Sequence, residues 1–497
     1  MNWAELLFWP IVVVYLLLML LLSAYVLNYL YLALVGLKYR RRLSSPALAA
    51  PSPWPRVTVQ LPIYNELYVA ERLIEAAAAL DYPGDLLEIQ MLDDSTDETA
   101  VLVASKVQEW SRRGLDIVHL HRDQRRGFKA GALADGLAVA KGEFVAIFDA
   151  DFLPAPDFLR RALPHFDDAR VAFVQARWGH LNREYSLLTI LQSLSLDAHF
   201  AVDQLARSSA GHFFNFNGTA GIWRKAAILD AGGWRADTLT EDLDLSYRAF
   251  LRGWTARYAG EVEAPAELPV SFTAFRRQQH RWARGSMECA ARFLPQIWRS
   301  DEPLLDKLTA TLHLTAYFTH FLTLALVLVF PLLLALSIRY PALLDPVGFG
   351  LFVNLMFFVP AVYFSVGQHL LGRPWLRRLP LMLIMSVLAS GLMLNTLSAA
   401  LQLLQQKVIP FERTPKYGIL KRGQDWRGNR YNVKIDLVVL FELLLAALTL
   451  GTAFLAVQTR HWLMLAYSLF FVCGLLFTSL FTVWQTISQR FASGRSA

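Results

Sequence analysis

Two aspartates at the end of an apolar run are the residues with the most recognisable chemistry. Ile147-Phe148 leads directly into Asp149-Ala150-Asp151. Two carboxylates at this spacing, on the turn after a strand, can hold a hard divalent cation together with phosphate oxygens. Such a cation acts as a Lewis acid when a nucleoside diphosphate leaves. Because acidic pairs at strand ends also occur as plain solvated turns, this pattern needs support from the rest of the chain.

A second acidic pair, Asp93-Asp94, also follows a β-rich run. One interpretation is that Ser95 or Thr96 caps the next helix. Capping does not require two consecutive aspartates before the cap, however, and a carboxylate at this place can accept hydrogen bonds from a nucleobase or a ribose. The second interpretation predicts a nucleotide pocket at the end of the strand.

Two other parts of the chain are predicted to contribute to the same pocket. Tyr64 and Glu66 follow the first β-rich run, and Lys129 stands among small residues at the start of a helical pattern. A helix N-terminus with an adjacent cation favours a diphosphate. A plain glycine turn with an exposed lysine is the alternative for Lys129.

The motif Thr240-Glu241-Asp242 precedes a helical stretch over Leu243–Leu251. Acidic residues here can simply favour the positive N-terminus of the helix. The functional alternative is a general base, because transfer to a hydroxyl group requires removal of its proton and a positioned carboxylate can accept it.

The segment from Gln278 to Trp282, with the sequence Gln-Gln-His-Arg-Trp, carries the most specific pattern. Arg281 can bind a diphosphate as a planar fork, with Gln278 beside it. Trp282 offers an apolar face on which a sugar ring can stack. A cationic amphipathic helix with a tryptophan anchor at a membrane interface is the alternative.

Alternating strand and helix patterns over residues 56–300 must position these motifs. Val57–Leu61, Leu87–Leu92 and Phe144–Phe148 are short β-rich runs, and helical stretches such as Tyr68–Leu80 lie between them. This order predicts an α/β domain with a mainly parallel sheet. In such sheets the chemistry gathers at the carboxyl ends of the strands, so the acidic motifs are predicted to meet there.

Long apolar runs flank this central part. Leu6–Leu37 has no charged side chain and is long enough to cross a bilayer. The basic cluster Lys38–Arg42 follows it and predicts a cytoplasmic location for this end of the helix. Four later runs are also predicted to span the membrane: Leu308–Ile338, Pro346–Leu371, Leu437–Thr459 and His461–Gln489.

Leu379–Gln406 is a further apolar run, but its second half carries a polar stripe and the basic segment Lys407–Lys434 follows it. If this run crossed the bilayer, the basic segment would lie on the opposite side from the basic loop Gly372–Arg378. A helix in the cytosolic interface keeps both on one side. We therefore favour an interfacial helix and divide the chain into a membrane helix with its linker (1–45), a cytosolic domain (46–300) and a membrane and interfacial region (301–497).

The composition agrees with a multi-pass membrane protein. Hydrophobic residues make up 55% of the chain, above the usual globular range, and charged residues only 18%. The net charge is +7, but the basic residues mostly border apolar runs, so membrane orientation explains them better than nucleic acid does. The two cysteines, Cys289 and Cys473, argue against a disulfide framework.

Taken in order, the four motifs resemble the D, DxD, TED, QxxRW pattern of processive family 2 glycosyltransferases, the group of cellulose, chitin and hyaluronan synthases. The likeness covers residues 56–416 and is strongest to the plant cellulose-synthase-like A and C proteins, which make mannan or glucomannan and xyloglucan-backbone glucan. A single helix precedes the central domain and no cyclic-dinucleotide-binding module follows it. The resemblance therefore does not extend to cyclic-dinucleotide activation or to the full cellulose channel.

The resemblance implies a GT-A fold and a role for each motif. Residues implied in nucleotide-sugar binding are Tyr64, Glu66, Asp93, Asp94, Lys129, Asp149, Gln278 and Arg281. Asp149 and Asp151 are implied as ligands of Mg²⁺ or Mn²⁺, and Asp242 as the catalytic base. Residues implied in acceptor binding are Trp282, Asn217, Gly218 and Thr219. A loop over residues 411–416 resembles the gating loop of cellulose synthase, with Phe411, Arg413, Thr414 and Lys416 as its contact residues.

The resemblance further implies an inverting hexosyltransferase in the plasma (inner) membrane, with its catalytic domain in the cytosol. UDP-glucose or GDP-mannose is the implied donor, a glycan or lipid the acceptor, and a β-linked polysaccharide (β-1,4) exported through the membrane helices the product. A non-processive transferase that makes a β-glycosylated lipid is the alternative. A non-catalytic transporter or scaffold would not require the four motifs to occur together.

Overall fold

The structure, a computed structural model, describes residues 3–44, 48–340, 358–405, 412–427, 429 and 437–493. A seven-stranded sheet forms the centre of the domain that follows the first helix, with strand order β3-β2-β1-β4-β6-β5-β7. Its strands are β1 (Val57–Ile63), β2 (Leu87–Asp93), β3 (Ile117–His121), β4 (Phe144–Ile147), β5 (Val171–His180), β6 (Gly221–Arg224) and β7 (Thr255–Ala266).

The sheet is mainly parallel, which confirms the predicted GT-A-type α/β architecture. Strand β1 pairs in parallel with β2 and β4, and β2 pairs in parallel with β3. Strand β6 runs antiparallel to β4 and β5, whereas β5 and β7 are parallel. Ile63 lies opposite Asp93, and Gln60 lies opposite Ile147. The carboxyl ends of β1, β2 and β4 therefore meet at one edge of the sheet.

Helices cover both faces of this sheet. Val57, Val59 and Leu61 belong to a core shared with the helix over 70–78. Val145 and Ile147 belong to a second core on the other side. Strands covered on both faces become near-continuous apolar runs, which is how these strands appear in the sequence. The helices up to the end of this part are α1 (Trp3–Lys38), α2 (Ala70–Ala78), α3 (Thr99–Arg112), α4 (Phe128–Val139), α5 (Phe158–Ala162), α6 (Leu187–Ala198), α7 (Leu205–Ala210), α8 (Lys225–Asp230) and α9 (Glu241–Phe250).

Most of the rest of the described chain is helical, apart from the loop over residues 412–427. Its helices are α10 (Phe272–Arg299), α11 (Leu304–Leu314), α12 (Phe318–Arg339), α13 (Val359–Leu370), α14 (Trp375–Gly391), α15 (Met393–Leu404), α16 (Val438–Gln458) and α17 (Trp462–Ser493). Within the described residues, five helical stretches are long and apolar enough to cross a membrane: Trp9–Lys38, Phe318–Ile338, Trp375–Leu404, Val438–Gln458 and Trp462–Gln489. The chain is accordingly an integral membrane protein.

Three of the predicted apolar runs differ in detail from the structure. The predicted span Leu308–Ile338 is divided between α11 and α12. Most of the predicted span Pro346–Leu371 lies outside the described residues, and α13 covers its last part. The predicted interfacial run Leu379–Gln406 forms α14 and α15, which join at Leu392. The two helices together are long enough to span a membrane, but half of the residues in their most apolar stretch are buried against the rest of the protein. Its interfacial placement stays a prediction.

Candidate active site

One cleft at the carboxyl edge of the sheet collects most of the residues that the sequence singled out. Strand ends, the first turns of α4 and α9, one face of α10 and the loop after residue 412 all contribute to its walls. The predicted residues that line it are Tyr64, Glu66, Asp94, Lys129, Asp149, Asp151, Asn217, Gly218, Asp242, Gln278, Arg281, Trp282, Arg413, Thr414 and Lys416. Asp93 and Thr219 are buried next to these residues, and Phe411 lies outside the described residues.

Asp149 and Asp151 follow β4, and each faces a lysine. Lys129 Nζ lies 2.6 Å from Asp149 Oδ1, and Lys416 Nζ lies 2.6 Å from Asp151 Oδ2. Burial raises the pKa of Asp149 above its usual range, and the Lys129 ammonium opposes this rise. Both carboxylates offer hard oxygen ligands to the same cleft, and each already attracts a cation. The pair therefore fits a divalent metal ion.

Lys129 stands in the first turn of α4, where it is surrounded by acceptors. Its Nζ donates a hydrogen bond to Gly218 O at 2.9 Å and lies 3.7 Å from Glu241 Oε1. Burial lowers the pKa of Lys129, but Asp149 and Glu241 raise it more strongly, so the pKa ends above its usual value. Lys129 is therefore a fixed positive charge beside the two aspartates at neutral pH, as a diphosphate site requires.

Asp242 is the second residue of α9 and is held close to Gly218. A β-carbon on Gly218, whose φ is +80°, would lie 3.0 Å from Asp242 Oδ2 and 3.4 Å from Lys129 Nζ, so only glycine allows this close approach. Burial, and then the neighbouring Glu241 carboxylate, raise the pKa of Asp242 to about 7, while Lys129 opposes the rise. A carboxylate with a pKa near neutrality matches the requirement for a general base.

The two residues of the acidic pair after β2 have different surroundings. Arg122 binds Asp94 as a fork, with both nitrogen–oxygen distances at 2.7 Å. Asp93 Oδ1 accepts a hydrogen bond from the Ser95 amide at 2.8 Å. Asp93 is thus fixed by its own turn, whereas the charge of Asp94 is matched by an arginine that sequence reasoning did not identify.

The other carboxylate oxygen of Asp93 lies against two histidines of β3. His119 Nε2 is 2.9 Å and His121 Nδ1 is 3.2 Å from Asp93 Oδ2. Burial alone would raise the pKa of Asp93, but hydrogen bonds from His119 and Ser95 hold it below its usual range. The three side chains have the spacing of a metal-ligand group, although the hydrogen bonds alone account for their proximity. The available sequence signal was the His-x-His spacing, which places both rings on one face of a strand.

Tyr64 and Glu66 each contact an arginine side chain. The guanidinium carbon of Arg125 lies 3.5 Å from the centre of the Tyr64 ring, a close cation–π contact. Arg413 Nη1 lies 2.9 Å from Glu66 Oε2. Burial raises the pKa of Glu66 to about 8, with Arg413 opposing the rise. The loop that contains Arg413 therefore reaches the strand end where a nucleotide is predicted to bind.

Gln278, Arg281 and Trp282 project from one face of α10 because they stand at positions i, i+3 and i+4. All three line the cleft. Arg281 Nη1 donates a hydrogen bond to Glu412 O at 2.7 Å, and burial lowers the pKa of Arg281. The loop residues 412–416 thus lie across the cleft and contact α10 on one side and the aspartates on the other.

The predicted acceptor residues Asn217, Gly218 and Thr219 form a turn before β6. The Asn217 amide nitrogen donates to Gln175 Oε1 at 2.8 Å, and Asn217 Oδ1 is 2.9 Å from His199 Nε2. Thr219 Oγ1 accepts a hydrogen bond from the Asp149 amide at 2.8 Å. In this arrangement Thr219 holds the turn that carries Asp149, while Asn217 and Gly218 face the cleft.

Comparisons with known proteins show similarity over the central part of the chain. Residues 55–285 match the family described as glycosyltransferase like family 2. Over 254 residues the chain is 48% identical to glucomannan 4-beta-mannosyltransferase 2 of Arabidopsis thaliana, covering 50% of this chain and 48% of that protein. Over 261 residues it is 44% identical to glucomannan 4-beta-mannosyltransferase 1 of Oryza sativa subsp. japonica, covering 52% and 50%. The match thus spans about half the length of these relatives.

Among solved structures, the chain is similar to a mannosyltransferase from Pyrobaculum calidifontis in complex with GDP-Man and Mn²⁺. The identity is 23% and the TM-score 0.49, over 79% of this chain and 99% of that one. This likeness is a partial agreement in overall shape.

Proposed function

We propose that this chain, which carries a family 2 glycosyltransferase domain over residues 55–285, transfers mannose from GDP-mannose to a β-1,4-linked glycan. The observation that supports transfer most directly is the convergence of Asp149, Asp151 and Asp242 with the α10 face in one cleft. The relatives are named as glucomannan 4-beta-mannosyltransferases, which favours GDP-mannose over UDP-glucose as the donor and a glucomannan-type acceptor.

In this proposal the donor lies across the carboxyl edge of the sheet. Tyr64 and Glu66 line the cleft at the strand ends, where they would face the nucleoside. Asp93 is fully buried and does not line the cleft, so it supports this strand end without the direct donor contact that the resemblance implies. Asp94 lines the same edge, and Arg122 binds both of its carboxylate oxygens. Lys129 stands beside Asp149 and supplies a fixed positive charge for the diphosphate. Arg281 and Gln278 approach the same group from α10, where a guanidinium can bind two phosphate oxygens at once.

Asp149 and Asp151 are the residues proposed to hold Mg²⁺ or Mn²⁺. A divalent ion bound there would neutralise the negative charge that develops on the departing diphosphate. Lys129 would also neutralise part of the diphosphate charge, because Asp149 and Glu241 hold its pKa above the usual value and keep it protonated.

Asp242 accepts the proton of the attacking acceptor hydroxyl. One base and one leaving group suffice for a single displacement, which inverts the anomeric carbon and converts an α-linked donor into a β-linked product. Trp282 faces the cleft on the same helix as Arg281, so that a terminal sugar stacked on its ring would present its hydroxyl near Asp242. Asn217 and Gly218 form the adjoining wall.

The loop residues Arg413, Thr414 and Lys416 are proposed to respond to the donor. In the structure Lys416 pairs with Asp151 and Arg413 pairs with Glu66. A bound nucleotide diphosphate competes for both cations, so these side chains can pass from the carboxylates to the phosphates as the donor enters. The loop then closes the cleft against water.

The membrane helices favour a polymer as the product. In the described part of the chain, five helices are apolar and long enough to span a membrane. The basic clusters at Lys38–Arg42 and Gly372–Arg378 favour an orientation in the plasma (inner) membrane in which the cleft opens to the cytosol. We propose that the chain elongates a β-mannan or glucomannan and exports it through these helices. A β-glycosylated lipid is the second candidate, since the same cleft would accept a membrane-anchored hydroxyl.

The donor and product are tested directly with detergent-purified protein. We expect GDP-mannose with Mn²⁺ or Mg²⁺ to give a product that an endo-β-1,4-mannanase digests, and UDP-glucose alone to give little product. Extraction of the product into organic solvent would instead favour the lipid candidate. An α-linked product from GDP-mannose would contradict both the single displacement and the assignment of Asp242.

The pH dependence of turnover follows from the pKa of Asp242, which is raised to about 7. Protonated Asp242 cannot accept the acceptor proton, so we expect kcat to fall as the pH drops below about 7, approaching tenfold per pH unit. Initial rates at saturating donor, metal and acceptor between about pH 5 and 9 measure this dependence. A flat profile across that range would exclude Asp242 as the base.

A further inference from the structure

A buried ion pair joins α10 to the membrane helices α16 and α17. Arg276 Nη2 is 2.8 Å from Glu442 Oε1, and Arg276 Nη1 is 3.1 Å from Glu442 Oε2, so the guanidinium and carboxylate meet as two planar forks. Arg276 is 4% exposed and Glu442 is fully buried. Such a bidentate pair fixes the mutual orientation of two elements as well as their distance.

Neighbouring helices add further hydrogen bonds around this pair. Thr482 Oγ1 of α17 accepts a hydrogen bond from Arg276 Nη1 at 3.1 Å, and Ser479 Oγ donates to Glu442 Oε2 at 3.0 Å. The Arg276 carbonyl accepts from Asn395 Nδ2 of α15 at 3.1 Å. One arginine of α10 therefore contacts three separate membrane-region helices, and a buried pair is tolerated only when its hydrogen bonds are completed in this way.

Arg276 lies on the side of α10 that is opposite the cleft. Gln278, Arg281 and Trp282 share one face, and Arg276 stands two positions before Gln278, about 200° away around the helix. A second contact near the start of α10 adds to the restraint, since the Phe272 amide donates to Gln485 Oε1 of α17 at 2.7 Å. Rotation or sliding of α10 would therefore break the buried pair and move the cleft face together.

We propose that Arg276 and Glu442 are positioning residues for glycosyl transfer, which set the rotation of α10 so that Gln278, Arg281 and Trp282 face the diphosphate and the acceptor. The inference rests on the proposed function. It assigns to the membrane helices a part in forming the active site, in addition to any part in export. Neither Arg276 nor Glu442 lines the cleft, so both act through the residues on the other face of α10.

The test compares the binding of GMP and GDP, because GMP lacks the terminal phosphate that the α10 face is proposed to bind. We expect Glu442→Gln to leave the Kd for GMP within about twofold and to weaken GDP binding in Mn²⁺ by about tenfold, with a similar loss in kcat. Arg276→Lys keeps the charge but not the fork and should show an intermediate loss. Ser337→Ala is the matched control, since Ser337 Oγ contacts His461 Nε2 at 3.1 Å away from α10.

A purely structural pair would lower the thermal unfolding midpoint but leave the preference for GDP over GMP unchanged, and that result would overturn the proposal. If Glu442→Gln fails to fold, the double variant Arg276→Met/Glu442→Leu removes both charges and avoids an unpaired one. A folded double variant with the wild-type preference would also overturn it. If the wild-type protein binds neither GMP nor GDP, the proposed function fails instead.

Discussion

Replacing Asp242 with asparagine is expected to lower kcat by about 100-fold or more while nucleotide binding stays nearly unchanged. Asparagine keeps the size of the side chain and can still accept the hydrogen bond that the Leu243 amide donates to Asp242 Oδ1 at 2.8 Å. It cannot take up a proton. The loss should therefore fall on the chemical step, and single-turnover rates together with GDP titrations separate the two effects.

A second acidic helix start provides the control for this experiment. Asp157 precedes α5 and is exposed. In the described part of the structure, its one ion pair is with Arg161, at 3.5 Å. Asp157→Asn should retain wild-type turnover. Loss of GDP binding in Asp242→Asn, to the same degree as the loss of turnover, would mean that Asp242 holds the donor instead of activating the acceptor.

The central sheet and the main walls of the cleft were predictable from the sequence because the signals are local. Apolar β-rich runs at Val57–Leu61 and Phe144–Phe148 mark strands that are buried on both faces. Parallel strands place their carboxyl ends at the same edge of a sheet, so Asp93 and Asp149 were predicted to lie at one edge once the sheet was inferred. The i, i+3, i+4 spacing of Gln278, Arg281 and Trp282 likewise required one common face on a helix.

The partners of these residues were not predictable, because they come from distant parts of the chain. Arg122 neutralises Asp94, and the histidines of β3 contact Asp93 only because β3 is the edge strand beside β2. Arg276 and Glu442 are 166 positions apart, and nothing in their local sequences indicates that they pair. Each contact is fixed by the packing of whole elements.

The loop after residue 412 shows the same limit in another form. The resemblance implied that Thr414 and Lys416 are contact residues of a gating loop, and the structure places both in the cleft. The structure also shows a contact that the motif does not predict. Lys416 Nζ lies 2.6 Å from Asp151 Oδ2, so a proposed metal ligand and a proposed phosphate contact bind each other. When no ligand is bound, cationic and anionic side chains of one binding site pair with each other. Ligand binding must therefore separate such pairs.

Replacing Asp151 with asparagine is expected to weaken metal-dependent nucleotide binding, in contrast to the loss of turnover at Asp242. The substitution removes one negative charge from the proposed metal site and leaves Lys416 without its carboxylate partner at 2.6 Å. We expect the Kd for GDP in Mn²⁺ to rise by about tenfold or more, which corresponds to about 1.4 kcal/mol. Without metal, the Kd for GDP should change little, because the released Lys416 can then contact the phosphates.

Titrations with and without metal separate these contributions within one variant. Glu412→Gln removes an acidic side chain that is 53% exposed and pairs with Arg277, so it should keep the wild-type response to Mn²⁺. An Asp151→Asn protein whose GDP binding still improves on adding Mn²⁺ as much as in the wild type would show that the metal is held elsewhere, and Asp93 with its two histidines would then be the next site to test. Equal loss of binding in Asp151→Asn and Asp242→Asn would contradict the separate roles of ligand and base, since only one of the two carboxylates is proposed to contact the metal.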